Sequence, residues 1–154
     1  MTDVRKTPYQ AEAQTVAFTT NVFDAMADDE WTDASSEIDN STNGYLFADF
    51  LVDLGSAVFP AAADNAIEIY VIPSVDGTNY PNFTGGGTTT DEQENNQYFV
   101  GSITILQGTL AFSGALRGVD LPPGKFKVAI RNRAGVQLNA TNTLRWRPWS
   151  YKSA

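Results

Sequence analysis

The stretch from Ala66 to Tyr80 constrains the fold more than any other part of the chain. Five of its first seven residues are β-branched or aromatic and only one is charged, which predicts a central strand. Pro73 ends this strand because it has no N–H to donate to a neighbour. Asp76 and Gly77 then predict a turn, since glycine accepts a positive φ and the Asp carboxylate can bond backbone two residues on. The face expected to be fully buried carries Ile67, Ile69 and Val71, and the opposite face is expected to be half-buried.

Other alternating runs predict about eight short strands in all, separated by turn clusters, with no convincing amphipathic helix. Such a pattern is typical of an antiparallel β-sandwich, here expected to be jelly-roll-like. We expect a single domain over residues 15–154, preceded by an irregular N-terminal arm over residues 1–14. Residues 98–106 and 109–117 are expected to pair as a hairpin around Gly108. The other predicted strands are residues 15–23, a short strand opening at Trp31, residues 45–54, and two strands carrying Phe126–Ile130 and Leu144–Trp146.

Composition excludes several kinds of chemistry. The chain has 154 residues, no Cys and no His, so thiol nucleophiles, thiolate or imidazole metal sites and the usual nucleophile–His pairs are impossible. An enzyme would depend on carboxylates, Lys or Tyr alone, and we expect no enzymatic activity, cofactor or metal. Residues 1–14 lack the apolar run of a signal peptide and no segment is long and apolar enough to span a membrane. We therefore expect synthesis in a cytoplasm and no membrane partner.

Charge is distributed unevenly along the chain, although the net value is -8. Residues 1–116 contain 17 of the 18 acidic residues and only two bases, Arg5 and Lys6, whereas residues 117–154 contain eight bases and one acid. The acidic bulk argues against nucleic acid as the main partner.

The bases near the C-terminus share strand faces. One predicted strand face carries Lys125, Lys127, Arg131 and Arg133, and the next carries Arg145, Arg147 and Trp149. If the two strands were neighbours, like charges would lie side by side at some cost, so acidic groups should meet them. They could be acids of the same domain, such as Asp49 and Asp53, which is the preferred explanation. They could instead belong to an acidic partner protein, with Trp149 as the anchor.

Two acidic motifs are better explained as ordinary surface than as sites. The segment Asp39–Gly44 has the oxygen spacing of a calcium loop, but the twelfth position is Phe50 and not Glu, which favours a plain turn. The cluster Asp28, Asp29, Glu30 and Asp33 could hold a divalent ion or supply glycosidase carboxylates, but a solvated acidic surface is the default. Residues 78–97 are expected to form a long polar loop, in which Gly85 to Asn96 is a mobile, solvent-facing tip.

Four segments resemble a family of small virion proteins of tailed bacteriophages. They are Ile69–Tyr80, Leu116–Val128, Ile130–Arg133 and Asn142–Tyr151, and the similarity extends from about Ser36 to Tyr151. The resemblance implies a structural protein without catalytic residues, most simply a capsid decoration (cement) protein on the outer surface of the head. The partners would be the major capsid protein and neighbouring copies of the chain, as a homo-oligomer such as a trimer.

The predicted arm would contact such a partner through Val4, Arg5, Lys6 and Tyr9, because irregular arms order on binding and cover a large surface. An alternative function is a glycan-binding module of a head or tail fibre, with Tyr80, Tyr98, Trp146 or Trp149 as stacking platforms. A carboxylate-based glycosidase is a third, less favoured alternative.

Overall fold

A computed structural model describes residues 4–6, 13–18, 23–61, 64–83, 85, 95–108 and 111–153, with the backbone alone at 4–6 and 152–153. Most of the predicted mobile loop, residues 86–94, therefore lies outside the described residues. Ten strands occur in the described part: β1 Val4–Lys6, β2 Gln14–Thr15, β3 Ile38–Asp39, β4 Phe47–Leu54, β5 Ala66–Pro73, β6 Phe99–Thr104, β7 Phe112–Asp120, β8 Lys125–Arg133, β9 Thr143–Trp149 and β10 Tyr151–Ser153.

The strands form two antiparallel four-stranded sheets and one two-stranded ribbon. The first sheet has the order β2-β9-β4-β7, the second has the order β3-β8-β5-β6, and β1 pairs with β10. The protein is therefore all-β with a sandwich-like arrangement, as the alternating pattern predicts. No helix in the described segments is long and apolar enough to cross a membrane.

The pairing of the strands is nested. β2 pairs with β9, β3 with β8, β4 with β7, and β5 with β6. Two further pairings, β4 with β9 and β5 with β8, complete the sheets. Between β2 and β9, every connection passes from one sheet to the other except the one from β5 to β6.

The predicted central strand is confirmed as β5, which lies between β8 and β6. Its Ile67, Ile69 and Val71 join the core between the sheets. The opposite face is more buried than expected, because Tyr70 and Ile72 form a second cluster with Trp31, Ala129 and partly buried aromatic rings. Chain outside the sandwich therefore covers part of the outer face of the second sheet.

The turn after β5 also forms as predicted. Gly77 has a φ of 78°, and Asp76 Oδ1 accepts hydrogen bonds from the backbone N–H groups of Thr78 at 2.9 Å and Asn79 at 2.7 Å. These bonds, with one from the Asn79 side chain, hold the pKa of the Asp76 carboxyl well below its usual range.

The predicted hairpin of residues 98–106 and 109–117 is wrong, because β6 and β7 belong to different sheets. β6 and β7 are nevertheless close to each other on one side of the sandwich. A Cβ added to Gly114 of β7 would lie only 2.5 Å from Cγ2 of Ile103 in β6. Alternation of apolar residues shows which face of a strand is buried, but it is the same for a hairpin and for a crossover between sheets.

The N-terminal part also differs from expectation. Within the described residues, the predicted strand 15–23 reduces to Gln14–Thr15, and Trp31 makes only an isolated bridge to Arg131. Part of the expected irregular arm, Val4–Lys6, is a strand paired with Tyr151–Ser153. The other arm residues up to 12 lie outside the described residues.

Candidate interaction surfaces and a polar groove

The basic residues near the C-terminus lie on two separate surfaces. β8 belongs to the second sheet and β9 to the first, so the two basic strand faces are not neighbours. The like-charge conflict considered from the sequence therefore does not arise. The predicted face assignment is otherwise confirmed: Phe126, Val128 and Ile130 of β8, and Leu144 and Trp146 of β9, face the core.

On the second sheet, the buried Arg131 is the centre of an ion-pair cluster. Its side chain is 5% exposed, and its Nη2 lies 3.0 Å from Asp29 Oδ1 while its Nη1 lies 3.9 Å from Glu68 Oε2. The guanidinium also lies 5.0 Å from the centroid of the Trp31 ring, a cation–π distance. Arg133 Nε lies 3.3 Å from the same Asp29 oxygen. Two of the expected partner-binding bases are thus paired within the domain.

A second pair lies at the end of this face, near the start of β8. Lys125 Nζ lies 2.8 Å from Glu37 Oε1, and Tyr80 donates its hydroxyl hydrogen to Glu37 Oε2 at 2.8 Å. The bond from Lys125 lowers the pKa of Glu37, while burial and the bond to Glu37 raise the pKa of Tyr80 to about 12. Lys127 Nζ lies 4.5 Å from the centroid of the Tyr80 ring. Tyr80 is therefore already in contact with Lys127 and Glu37.

On the first sheet, acids of β4 meet bases of β9. Arg145 lies 2.5 Å from Asp53 Oδ2, and Asp49 is opposite Arg147 in the strand register. The pKa of Asp53 is lowered, first by the hydrogen bond from Ser113 and then by Arg145. The intramolecular explanation is thus borne out for the described pairs of both sheets, and docking of the basic residues on an acidic partner stays a prediction.

Trp149 lies in an aromatic corner on the outer face of the first sheet. It is 6% exposed, stacks on Phe47 at a centroid distance of 4.5 Å, and donates its Nε1–H to Asp49 at 3.0 Å. Tyr151 packs edge-on against it at 5.6 Å and is 49% exposed. A partner would therefore touch Tyr151 rather than the face of the Trp149 indole.

The arm residues predicted to bind a partner lie only partly within the described residues. The backbone of Val4, Arg5 and Lys6 pairs with β10, and Tyr9 lies outside the described residues. Their role in partner binding stays a prediction.

The two acidic motifs have structural partners. Asp39 Oδ1 accepts hydrogen bonds from Ser41 N at 2.8 Å and Ser41 Oγ at 2.5 Å, which is turn geometry. Asp28 accepts a hydrogen bond from the Gly135 N–H, and Glu30 accepts one from the Ala27 N–H. In the ranges that the structure describes, no group of three or more acidic residues is arranged to hold a metal ion.

A groove of about 270 Å³ opens between the edge of the first sheet at β2 and the edge of the second sheet at β3. We call it the polar groove. A backbone hydrogen bond of 2.8 Å from Ser36 N to Ala17 O joins the two edges beside it. The residues that line it include Thr15, Glu37, Asp39, Asn43, Tyr45 and Trp146.

Sequence reasoning missed the polar groove, although it singled out Trp146 as an aromatic platform. The lining residues come from four separate segments of the chain, and only the pairing of β2 with β9 and of β3 with β8 brings them together. No local motif could have indicated this arrangement.

Comparison of the chain with protein-family models, with curated proteins and with solved structures finds no match.

Proposed function

We propose that the protein is a non-enzymatic structural protein of a tailed-phage virion, a decoration protein on the outer surface of the capsid. The resemblance of Ile69–Tyr80 and Leu116–Val128 to small virion proteins suggests this role. The observation that supports this proposal most strongly is the nested pairing of the eight sandwich strands.

We infer from that pairing that the sandwich is a jelly roll. One long hairpin, with β2 to β5 as one arm and β6 to β9 as the other, accounts for the four nested pairs. Rolling this hairpin up brings β4 beside β9 and β5 beside β8, the two remaining pairs. Jelly rolls occur in viral capsid proteins and in lectins, so the fold suits the proposed role by analogy.

The carboxylates considered for catalysis also favour a structural role. Asp29 is paired with Arg131 and Arg133, and Asp28 and Glu30 each accept a hydrogen bond from a backbone N–H. These carboxylates are therefore held by groups of the same domain.

The proposed contact surface is the aromatic corner. Tyr151 is half-exposed there and begins β10, which pairs with the arm strand β1. Tyrosine and tryptophan side chains are common anchors of protein interfaces. Binding to the major capsid protein and to neighbouring copies would gain strength from the large number of copies on a particle.

The test is to separate heads from tails and to measure copy number by quantitative mass spectrometry. Many copies on heads are expected, and absence from heads would refute the proposal. A Tyr151→Asp variant should decorate empty heads poorly, because a charge would be placed in the contact. The matched control is Val75→Asp, since Val75 is 94% exposed on the turn that follows β5, outside the aromatic corner, and should tolerate a charge without effect.

A further inference from the structure

We propose that the polar groove is a binding site for a neutral sugar ring, with Asp39, Asn43 and the indole N–H of Trp146 as the polar contacts. This inference does not depend on the virion role, because it rests on the groove alone.

The chemistry of the groove matches a polyhydroxylated ligand. Glu37 and Asp39 supply carboxylate acceptors, Asn43 supplies an amide, and Thr15 and Tyr45 supply hydroxyl groups, all lining the same cavity. A sugar ring presents alternating donors and acceptors around its edge, so it needs both kinds of partner. Pockets for drug-sized ligands measure about 300–1,000 Å³, so a cavity of about 270 Å³ suits a single ring or a terminal sugar.

Trp146 provides a rigid apolar floor with one polar atom. The residue is 5% exposed, and its ring packs edge-on against Phe126 at a centroid distance of 5.7 Å. In the part of the chain that the structure describes, Trp146 Nε1 donates no hydrogen bond, and it is not among the fully buried side-chain nitrogens without one, so this atom reaches the surface. The Trp146 N–H is thus open to a ligand acceptor. Because so little of Trp146 is exposed, it can donate a hydrogen bond and form the bottom of the polar groove, but it is not the broad stacking platform expected from the sequence.

The charge around the groove favours neutral sugars over acidic ones. Glu37 and Asp39 both have lowered pKa values, from the bonds to Lys125 and to Ser41 respectively, so both are ionised at neutral pH. Lys125 is paired with Glu37, which leaves the carboxylate of Asp39 as the excess charge. An anionic sugar would be repelled by it, whereas a neutral sugar can donate hydroxyl hydrogens to it at charge-assisted strength.

The donors and acceptors are also positioned in advance. Asp39 is held by two bonds from Ser41, and the backbone of Tyr45 is held on both sides by the side chain of Asn40, which is 1% exposed. A site that is already formed loses less free energy on binding than one that must order its side chains.

The experiment is two-dimensional NMR of uniformly ¹⁵N-labelled protein, titrated with the methyl glycosides of glucose, galactose, mannose and N-acetylglucosamine. The indole signal of Trp146 is identified by its loss in Trp146→Phe. We expect at least one of these sugars to shift that signal saturably while the signals of Trp31 and Trp149 stay in place. The methyl glycoside of glucuronic acid should bind at least tenfold more weakly than its neutral counterpart.

Two variants test the polar contacts. Asp39→Asn and Asn43→Ala should each weaken binding about tenfold or more, and Asn43→Ala serves if the first variant disturbs the turn. The matched control is Asp33→Asn, an exposed acid outside the groove, which should bind like wild type. The proposal is overturned if none of the four neutral glycosides shifts the Trp146 signal at tens of millimolar, or if binding is unchanged in both folded groove variants.

Discussion

Reversing the charge of Arg131 should lower the stability of the domain far more than reversing the charge of Arg133. Arg131 is 5% exposed at its side chain, lies between Asp29 and Glu68, and packs over Trp31. Glu at this position would be a buried anion beside two other carboxylates.

The expected loss follows from these contacts. Removing one partner of a buried ion pair costs about 3–5 kcal/mol, but the Asp29 side chain is 53% exposed, so solvent reduces that part to about 2 kcal/mol. Loss of the cation–π contact adds about 1 kcal/mol. For a chain of this length, about 3 kcal/mol corresponds to a fall of roughly 10 °C in Tm.

The assay is thermal unfolding followed by circular dichroism, with urea unfolding as an independent measure of the free energy of unfolding. Arg133→Glu is the matched control, because Arg133 contacts the same Asp29 oxygen but is 38% exposed. Its loss should stay within about 1 kcal/mol. Equal Tm values for Arg131→Glu and wild type would contradict the buried position of Arg131 and would favour a role for this residue in docking an acidic partner.

Three further outcomes are expected. Asn40→Ala should cost about 2–4 kcal/mol by urea unfolding, because the buried amide makes three hydrogen bonds to backbone groups on two loops, and a loss under 1 kcal/mol would contradict that role. Gly85→Ala should cost about 1–3 kcal/mol, since its Cβ would collide with the backbone oxygen of Thr32, whereas Gly124→Ala has open space and should change stability by about 0.5 kcal/mol or less. Asp76→Asn should be less stable than wild type above about pH 4, and the difference in stability should shrink as the pH falls below that value. The reason is that the pKa of Asp76 is lowered in the folded state, so the stability that its carboxylate contributes is lost on protonation. A difference in stability that is independent of pH from 2 to 7 would contradict this role of Asp76.

Much of the fold can be read from local pattern. β5 begins at Ala66 as predicted and extends one residue further than expected, to Pro73, and the even positions of β4 from Ala48 to Leu54 are buried as expected. The expected face of β8, with Phe126 inward and Lys125 outward, is also correct. In each case the side-chain period of two decides which face is buried, and this period is visible without any partner strand.

Strand partners could not be predicted in the same way. The run ending at Leu106 and the run beginning at Thr109 have the separation of a hairpin, yet they enter different sheets. The same uncertainty applied to β8 and β9, which the sequence treats as possible neighbours and the structure places in opposite layers. Pairing depends on contacts between residues distant in sequence, such as Phe50 with Leu116 and Trp146, which no local pattern contains.

The sequence by itself determined the strand faces, the turn at Asp76 and Gly77, and the absence of Cys and His from any site, because each depends on residue type and short-range geometry. Only the tertiary structure decided that Arg131 is a buried partner of Asp29 and that Glu37, Asp39 and Trp146 line one groove. The physical reason is that burial and ion pairing depend on which segments lie side by side. That is set by the nested pairing of strands up to about 130 residues apart along the chain.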